Sequence, residues 1–540
     1  MHMKKAFYLL LLVVFTACKS VPYTLKSVAP HRIEVTKALD ATPLPEAVAF
    51  IQPYLEGVDS LRKPYVGQSE LYMSAARPES LLSNWVADVL VTTGEGLGYQ
   101  PDLGICNIGG LRASMPKGTV TRGDILSISP FQNFFTILKM RGTTILTLME
   151  NIAAVHGEGV SSGARLVITR DGRLKSATLG GKPIKADSLY TVATLDYLAE
   201  GNDKLYALKD AEEKIVTQEP IRETLMNHLQ QLDRQGLKAT AHIEGRITVA
   251  PEGEIPKTEL PKQIGDNSEA PLTIYAGNGR RTKSLFLVHT NDTHSCIEPL
   301  SLLLADTAQA NKGGYLRRAA LFRDLRQAHP DLLLVDAGDF SQGSPYYSLY
   351  HGDVEVGLMN LMGYDVATIG NHEFDFGLEN MARIFRKANF PIVCCNYDFT
   401  GTPVEGLVKP YVIIHRSGLK IGIFGVSPQL EGLVTAHTCE GVRYTDPVQA
   451  SQPVADYLRN TAKCDLVVCL SHLGWMLAGL SDEEFIAATR NIDLVIGGHS
   501  HTYFLSPQCL DNADGKAVPD NQMGKNGRFI GTLQLTFEKQ

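Results

Sequence analysis

The 540-residue sequence has nine cysteines but no C-x-x-C pair, so a thiolate-held structural zinc is not expected. It has no basic excess: 51 Lys and Arg stand against 58 Asp and Glu, a net charge of −7. A duplex-binding protein would carry the opposite footprint. It has little apolar surplus, with a mean hydropathy of −0.05, which excludes a polytopic membrane protein. Its 48 glycines and 27 prolines lie near the ordinary combined share of about 12%, which excludes fibrous and low-complexity chains. What remains is globular usage, 44% hydrophobic and 20% charged. At about 150 residues per domain, the length predicts two to four domains.

The first residues read as an export signal. Lys4 and Lys5 precede the apolar run Ala6 to Thr16, which is shorter than the ~20 residues of a comfortable membrane span. The run ends in Phe15-Thr16-Ala17-Cys18, which resembles a bacterial lipobox, with Phe15 where Leu is usual. The resemblance implies a signal peptide over residues 1–18 and a lipid anchor on Cys18. The expected location is an exported, cell-envelope lipoprotein that faces the periplasm. Eight further cysteines in an oxidising compartment are compatible with disulfides, but sequence does not choose among 105 pairings.

Residues 28–249 mix helical and strand patterns, and a Pro- and charge-rich stretch over 250–283 reads as a linker. From 284 to 540 the pattern changes. Leu285–His289, Leu332–Ala337, Val366–Ile369, Leu466–Leu470 and Leu494–Ile496 are near-continuous apolar runs, the signature of strands buried on both faces. Helical stretches such as Gly314–Ala328 and Asn380–Ala388 alternate with them, which predicts a layered α/β unit. Tyr411–Ile414 and Ile421–Phe424 read as a hairpin across Ser417-Gly418.

Each buried strand ends in a polar cluster, and ligands in such sheets bind beyond the carboxyl ends of the strands. The ends supply Asp292, His294, Asp339, Asn371, His472, His499 and His501. A lone Asp-x-His or Gly-Asp is more often a capped turn than a site. Together, the clusters form a set of imidazole and carboxylate donors without cysteine, which suits a transition-metal site. The set exceeds what one tetrahedral ion needs.

In order, Asp292-x-His294, Gly338-Asp339, Gly370-Asn371-His372-Glu373, His472 and Gly498-His499-x-His501 resemble the calcineurin-like metallophosphoesterases. His289-Thr-Asn-Asp-Thr-His294, Gly370-Asn-His-Glu-Phe-Asp375 and Gly498-His-Ser-His-Thr502 resemble more narrowly the bacterial 5'-nucleotidase/UDP-sugar hydrolase family. That resemblance implies a four-layer α/β/β/α catalytic domain and two divalent ions, of Zn, Mn, Co or Fe. Asp292, His294 and His501 would hold one ion, Asn371, His472 and His499 the other, and Asp339 would bridge them. His372 and Asp375 would form a catalytic pair that binds no metal. An ion pair of this kind stabilises both the attacking and the leaving oxygen of an in-line displacement and supplies hydroxide at neutral pH.

The first half carries a second ordered set. Arg77-Pro-Glu79-Ser80 opens a capped helix, Asn107-Ile-Gly109-Gly110-Leu-Arg112 follows a short apolar run, and Pro130-Phe131-x-Asn133 and Tyr197 to Asp203 come later. Together they resemble the α/β substrate-binding domain of the same family. The resemblance implies that Asn107 and Arg112 bind phosphate or ribose, that Arg77 is a second phosphate contact, that Tyr197 stacks on a base, and that Asp203 accepts a ribose hydroxyl. Three departures stand out. The binding domain comes first, the reverse of the family's order. Glu158-Gly-Val160 replaces an aromatic that would complete a base clamp. Gly201-Asn-Asp-Lys204 replaces Gly-Gly-Asp-Gly.

The expected activity is release of phosphate from nucleotides. A cyclic phosphodiesterase, a UDP-sugar hydrolase or another phosphoester hydrolase is the alternative, and a non-catalytic nucleotide-binding lipoprotein a second. The expected partners are the nucleotide and, through the anchor, a membrane. No nucleic-acid duplex and no obligate protein partner are expected.

Overall fold

The structure, a computed structural model, describes residues 23–252, 263–264, 271–274, 281–302, 308–477 and 479–539. The leader with Cys18 and most of the expected linker lie outside the described residues.

The apolar runs form two sheets. The larger holds eight strands in the order Leu272–Thr273, Tyr23–Glu34, Phe529–Lys539, Thr282–Thr290, Leu333–Asp336, Val366–Thr368, Ile392–Val393 and Val408–Lys409. The smaller holds six: Tyr411–Arg416, Leu419–Val426, Leu466–Ser471, Leu494–Ile496, Ala517–Asn521 and Gln508–Asp511. The hairpin expected around Ser417-Gly418 closes with Arg416 paired to Leu419. Alternate side chains point to opposite faces of a strand, and this sorts the layers. Leu285, Leu287, Leu333, Val335 and Val366 meet Ile421, Ile423, Leu466, Val468 and Leu494 in one core between the sheets. Val288, Leu334 and Ala367 turn outward to pack with residues of the helices Tyr315–Ala328, Asp353–Met362 and Gly377–Phe385. Phe424, Val467, Cys469 and Val495 cover the opposite face with residues of Pro447–Asp456 and Asp482–Ala488. The unit is the expected four-layer α/β/β/α sandwich.

The other unit has its own core, built on a five-stranded and a four-stranded sheet. The helix Leu81–Gly96 begins at Ser80, whose side chain accepts from the Ser83 N–H, as the sequence predicts. Leu103–Cys106 is a fully buried strand.

One boundary is corrected. The expected unit over 28–249 does not begin at residue 28. Tyr23–Glu34 pairs antiparallel with Phe529–Lys539 along its length, from Tyr23 opposite Lys539 to Glu34 opposite Phe529. The helix Pro45–Arg62 packs against Asp353–Met362, Tyr315–Ala328 and Pro345–Tyr350. Residues 23–62 therefore belong to the sandwich, where Leu25 and Val28 enter the core between the sheets. The binding unit is an insertion that leaves the sandwich after Arg62 and returns to it at Gln263–Ile264, which pairs with Tyr503 and Phe504, and then at Leu272–Thr273, which pairs with Ser27 and Val28.

Candidate metal centre and substrate pocket

The strands Thr282–Thr290, Leu333–Asp336 and Val366–Thr368 are parallel neighbours in one sheet, and Leu466–Ser471 and Leu494–Ile496 are parallel neighbours in the other. Their carboxyl ends open on the same edge of the sandwich. Asp292, His294 and His501 bring donor atoms within 4.8 Å of one another, and so do Asp339, His472 and His499. Asp339 Oδ2 lies 3.1 Å from His472 Nε2 and 4.0 Å from His294 Nε2, between the two groups.

The donors suit a divalent cation. Nδ1 of His472 donates to the Ala337 carbonyl at 2.7 Å, which turns Nε2, a buried atom without a well-aligned hydrogen bond, toward Asp339 Oδ2. Asn371 Oδ1 is likewise buried and unpartnered. Nε2 of His294 and Nε2 of His501 face each other at 2.8 Å. Buried polar atoms are ordinarily paired, so under-satisfied ligand atoms beside clustered imidazoles and carboxylates fit an ion. Burial drives the Asp292 carboxyl upward and the His294 imidazole well below its ordinary range. Burial opposes ionisation of Asp339 too, but His472 and His372 hold its carboxyl well below the usual range. The carboxylate between the two groups therefore stays charged.

The loops that carry these groups are bent sharply. Asp292, His294, Asp339, His499 and His501 all have positive φ, between 44° and 67°, a conformation that side chains rarely adopt outside functional loops. Gly370 must be glycine because a Cβ there would strike the Asp339 carboxylate. Glu373 ties two loops together. It is fully buried and accepts from the N–H groups of Gly370 at 2.6 Å, Ser341 at 3.0 Å and Asp339 at 3.1 Å. Sequence reasoning gave Glu373 no role, although it sits inside the motif. Asn291 was missed too. Its Nδ2 donates to Asp292 Oδ2 at 2.6 Å.

His372 and Asp375 stand at the rim of the cluster. Nδ1 of His372 is 3.0 Å from Asp375 Oδ2, and its backbone N–H donates to Asp339 Oδ1 at 2.9 Å. Burial works against an imidazolium, but Asp375 and Asp339 overcome it and raise the group to about 8. A His372 ring nitrogen also lies within 4.8 Å of donor atoms of His294 and Asp339, so it could reach an ion as well as a substrate.

A cavity of about 330 Å³ joins the two units. Asn371, His372 and Asp375 line it from the sandwich, and Asn107, Arg112, Phe131, Tyr197 and Asp203 line it from the inserted unit. The Arg112 guanidinium sits 5.6 Å from the Phe131 ring centre. Tyr197 Oη donates to Asp203 Oδ1 at 2.9 Å, and Asn107 Nδ2 donates to Asp203 Oδ2 at 2.6 Å. Four of the five expected substrate residues therefore share one cavity.

Arg77 is the exception. It does not line this cavity. Its Nε donates to the Gly157 carbonyl at 2.9 Å and its terminal nitrogen pairs with the buried carboxylate of Glu158. Glu158 in turn accepts from the Ile108 N–H. The pair braces the turn that carries Asn107 and Arg112. The eight described cysteines are all free thiols. A second cavity of about 620 Å³, lined by Arg62, Arg112, Ser127, His294 and Lys525 among others, lies on the other side of Arg112.

Comparison with known proteins matches both units. Residues 65–210 match the 5'-nucleotidase C-terminal domain family and residues 287–503 match the calcineurin-like phosphoesterase family. The snake venom 5'-nucleotidase of Gloydius brevicauda is 32% identical over 287 residues, covering 50% of this chain and 47% of the relative. The 5'-nucleotidase of Homo sapiens is 30% identical over 275 residues, 47% of each chain. Among solved structures, the 5'-nucleotidase precursor from Thermus thermophilus aligns with a TM-score of 0.41 at 30% identity, over 46% of this chain and 51% of that one. The chain spans about half the length of the curated relatives it matches. It carries a 5'-nucleotidase C-terminal domain followed by a calcineurin-like phosphoesterase domain.

Proposed function

We propose that this chain is a dinuclear metal-dependent phosphohydrolase that releases phosphate from nucleotides. The observation that carries the reading is one cavity lined both by Asn371, His372 and Asp375 and by Asn107, Arg112 and Tyr197. Asp292, His294 and His501 would hold one ion, and Asn371, His472 and His499 the other, with Asp339 between them. Bound ions of this kind supply charge neutralisation and water activation.

The remaining roles belong to the chain itself. The Arg112 fork grips two phosphate oxygens. Burial lowers its pKa, while Asp339, Asp375 and Asp203 hold its charge. His372, protonated against Asp375, stabilises charge that develops on the phosphoryl group. Tyr197 offers a ring to the base, and its hydroxyl fixes Asp203 beside the ribose.

A second reading has a specific support. The cavity of about 620 Å³ beyond Arg112 also reaches His294, which leaves room for a second arm on the scissile phosphate, as in a nucleotide sugar. A cyclic phosphodiester is a further variant of that reading. Phosphate release from AMP, UMP, UDP-glucose and bis-p-nitrophenyl phosphate, with and without chelator, separates these readings. No turnover of any of them in metal-loaded protein would leave only a nucleotide-binding role. For the leader, the proposed lipid anchor at Cys18 predicts a membrane-fraction protein. Recovery of the wild type as free soluble protein would refute it.

A further inference from the structure

We infer that the segment Leu433–Thr438 of the phosphoesterase domain forms the second wall of the base pocket, with the His437 ring as the stacking partner opposite Tyr197. The inference rests on the nucleotide reading. It starts from a vacancy in the sequence, where Glu158-Gly-Val160 stands in place of an expected aromatic. The structure explains why nothing in that stretch can serve. Glu158, Gly159 and Val160 are buried, and none of them lines the cavity. The Glu158 carboxylate is taken by Arg77 and the Ile108 N–H. A side chain on Gly159 would run into Cys106 Sγ and the Ser83 backbone.

The wall comes from the other unit. Leu433, Val434, Thr435, His437 and Thr438 line the same cavity as Tyr197. The segment is docked on the inserted domain beside Tyr197, since the Ala436 N–H donates to Glu200 Oε2 at 3.1 Å. Asp196 lines the same cavity as His437. Asp196 accepts the N–H groups of Phe134 and Tyr197, each at 2.9 Å. His437 is solvent-exposed, so no packing role competes for its ring. A planar π-system across from the Tyr197 ring is the arrangement that binds a base between two faces, and such stacking tolerates any base; Phe131, which also lines the cavity, lies against Arg112 and His372. Because the wall lies on the phosphoesterase domain, a base would be clamped only when the two units are together.

The test compares kcat/KM for AMP and UMP with that for ribose 5-phosphate, which has the phosphate and sugar but no base. In the full metal-loaded chain, His437→Ala should lower the nucleotide-to-ribose-phosphate ratio roughly fivefold or more, the lower end of a stacking loss. His437→Phe restores a flat ring and should keep the ratio within about twofold of wild type. An unchanged ratio in His437→Ala overturns the inference, as does an equal fall in both variants. If wild type hydrolyses ribose 5-phosphate but neither nucleotide, the nucleotide reading itself fails and the inference with it.

Discussion

Asp375 holds Nδ1 of His372 at 3.0 Å, so that nitrogen is engaged by the carboxylate and Nε2 is the atom left for the substrate. The pairing also raises the imidazole to about 8. A protonated His372 is present below that value and lost as pH rises through it. Asp375→Asn removes the charge that supports the imidazolium. The alkaline fall of kcat should therefore move to lower pH, and a pH-rate profile of the variant reads the shift. A movement to higher pH would refute the pairing.

His372→Ala tests whether the ring serves substrate or metal. If it serves substrate, kcat drops on the order of 10²–10³, the scale for one electrostatic donor, and metal content by elemental analysis stays at the wild-type level. Loss of an ion would make His372 a ligand.

Metal removal should abolish hydrolysis, and Mn, Co or Zn should restore it. Asp339 lies within reach of both donor groups. Asp339→Ala should therefore lower the occupancy of two ions per chain, whereas Asn371→Ala should lower one. Equal stoichiometry in the two variants would contradict the bridging position.

Arg112 and Arg77 should behave differently, although the family resemblance implied a phosphate contact for both. Arg112→Ala should cut kcat/KM strongly for every nucleotide, with AMP, UMP and CMP remaining within about tenfold of one another, because stacking does not read base identity. Arg77→Ala leaves the buried Glu158 carboxylate without its cation. It should cost about 1–3 kcal/mol of stability, seen as a lower Tm, and affect KM little.

The domain order can be tested by rewiring. Tyr23 and Lys539 are antiparallel partners, so a short turn can join them, as in a hairpin. A permutant closed there and opened between Glu252 and Gln263 should fold with a Tm close to wild type and keep its activity. It would run catalytic domain first, the order the family resemblance leads one to expect. A permutant that does not fold would mean that the pairing needs the native connection.

Much of the site was readable from the chain alone because its strands are short, apolar and buried on both faces. Runs such as Leu466–Leu470 have no polar face to hide their ends, so the polar clusters that follow stand out, and the ligand groups lie within a few residues of those ends. A layered α/β unit followed from the same runs, and its four-layer form from the family resemblance. Tertiary structure decided what depends on residues far apart. Tyr23–Glu34 has no distinguishing pattern, and only its pairing with Phe529–Lys539 assigns it to the sandwich. Arg77 looks like a phosphate ligand until Glu158, 81 positions later, takes its charge. The segment Leu433–Thr438 carries no motif, and it borders the base pocket only because Ala436 docks on Glu200 of the other unit. Local spacing can specify which groups stand at a strand end. Which distant groups meet them is set by packing between units, and no local pattern encodes that.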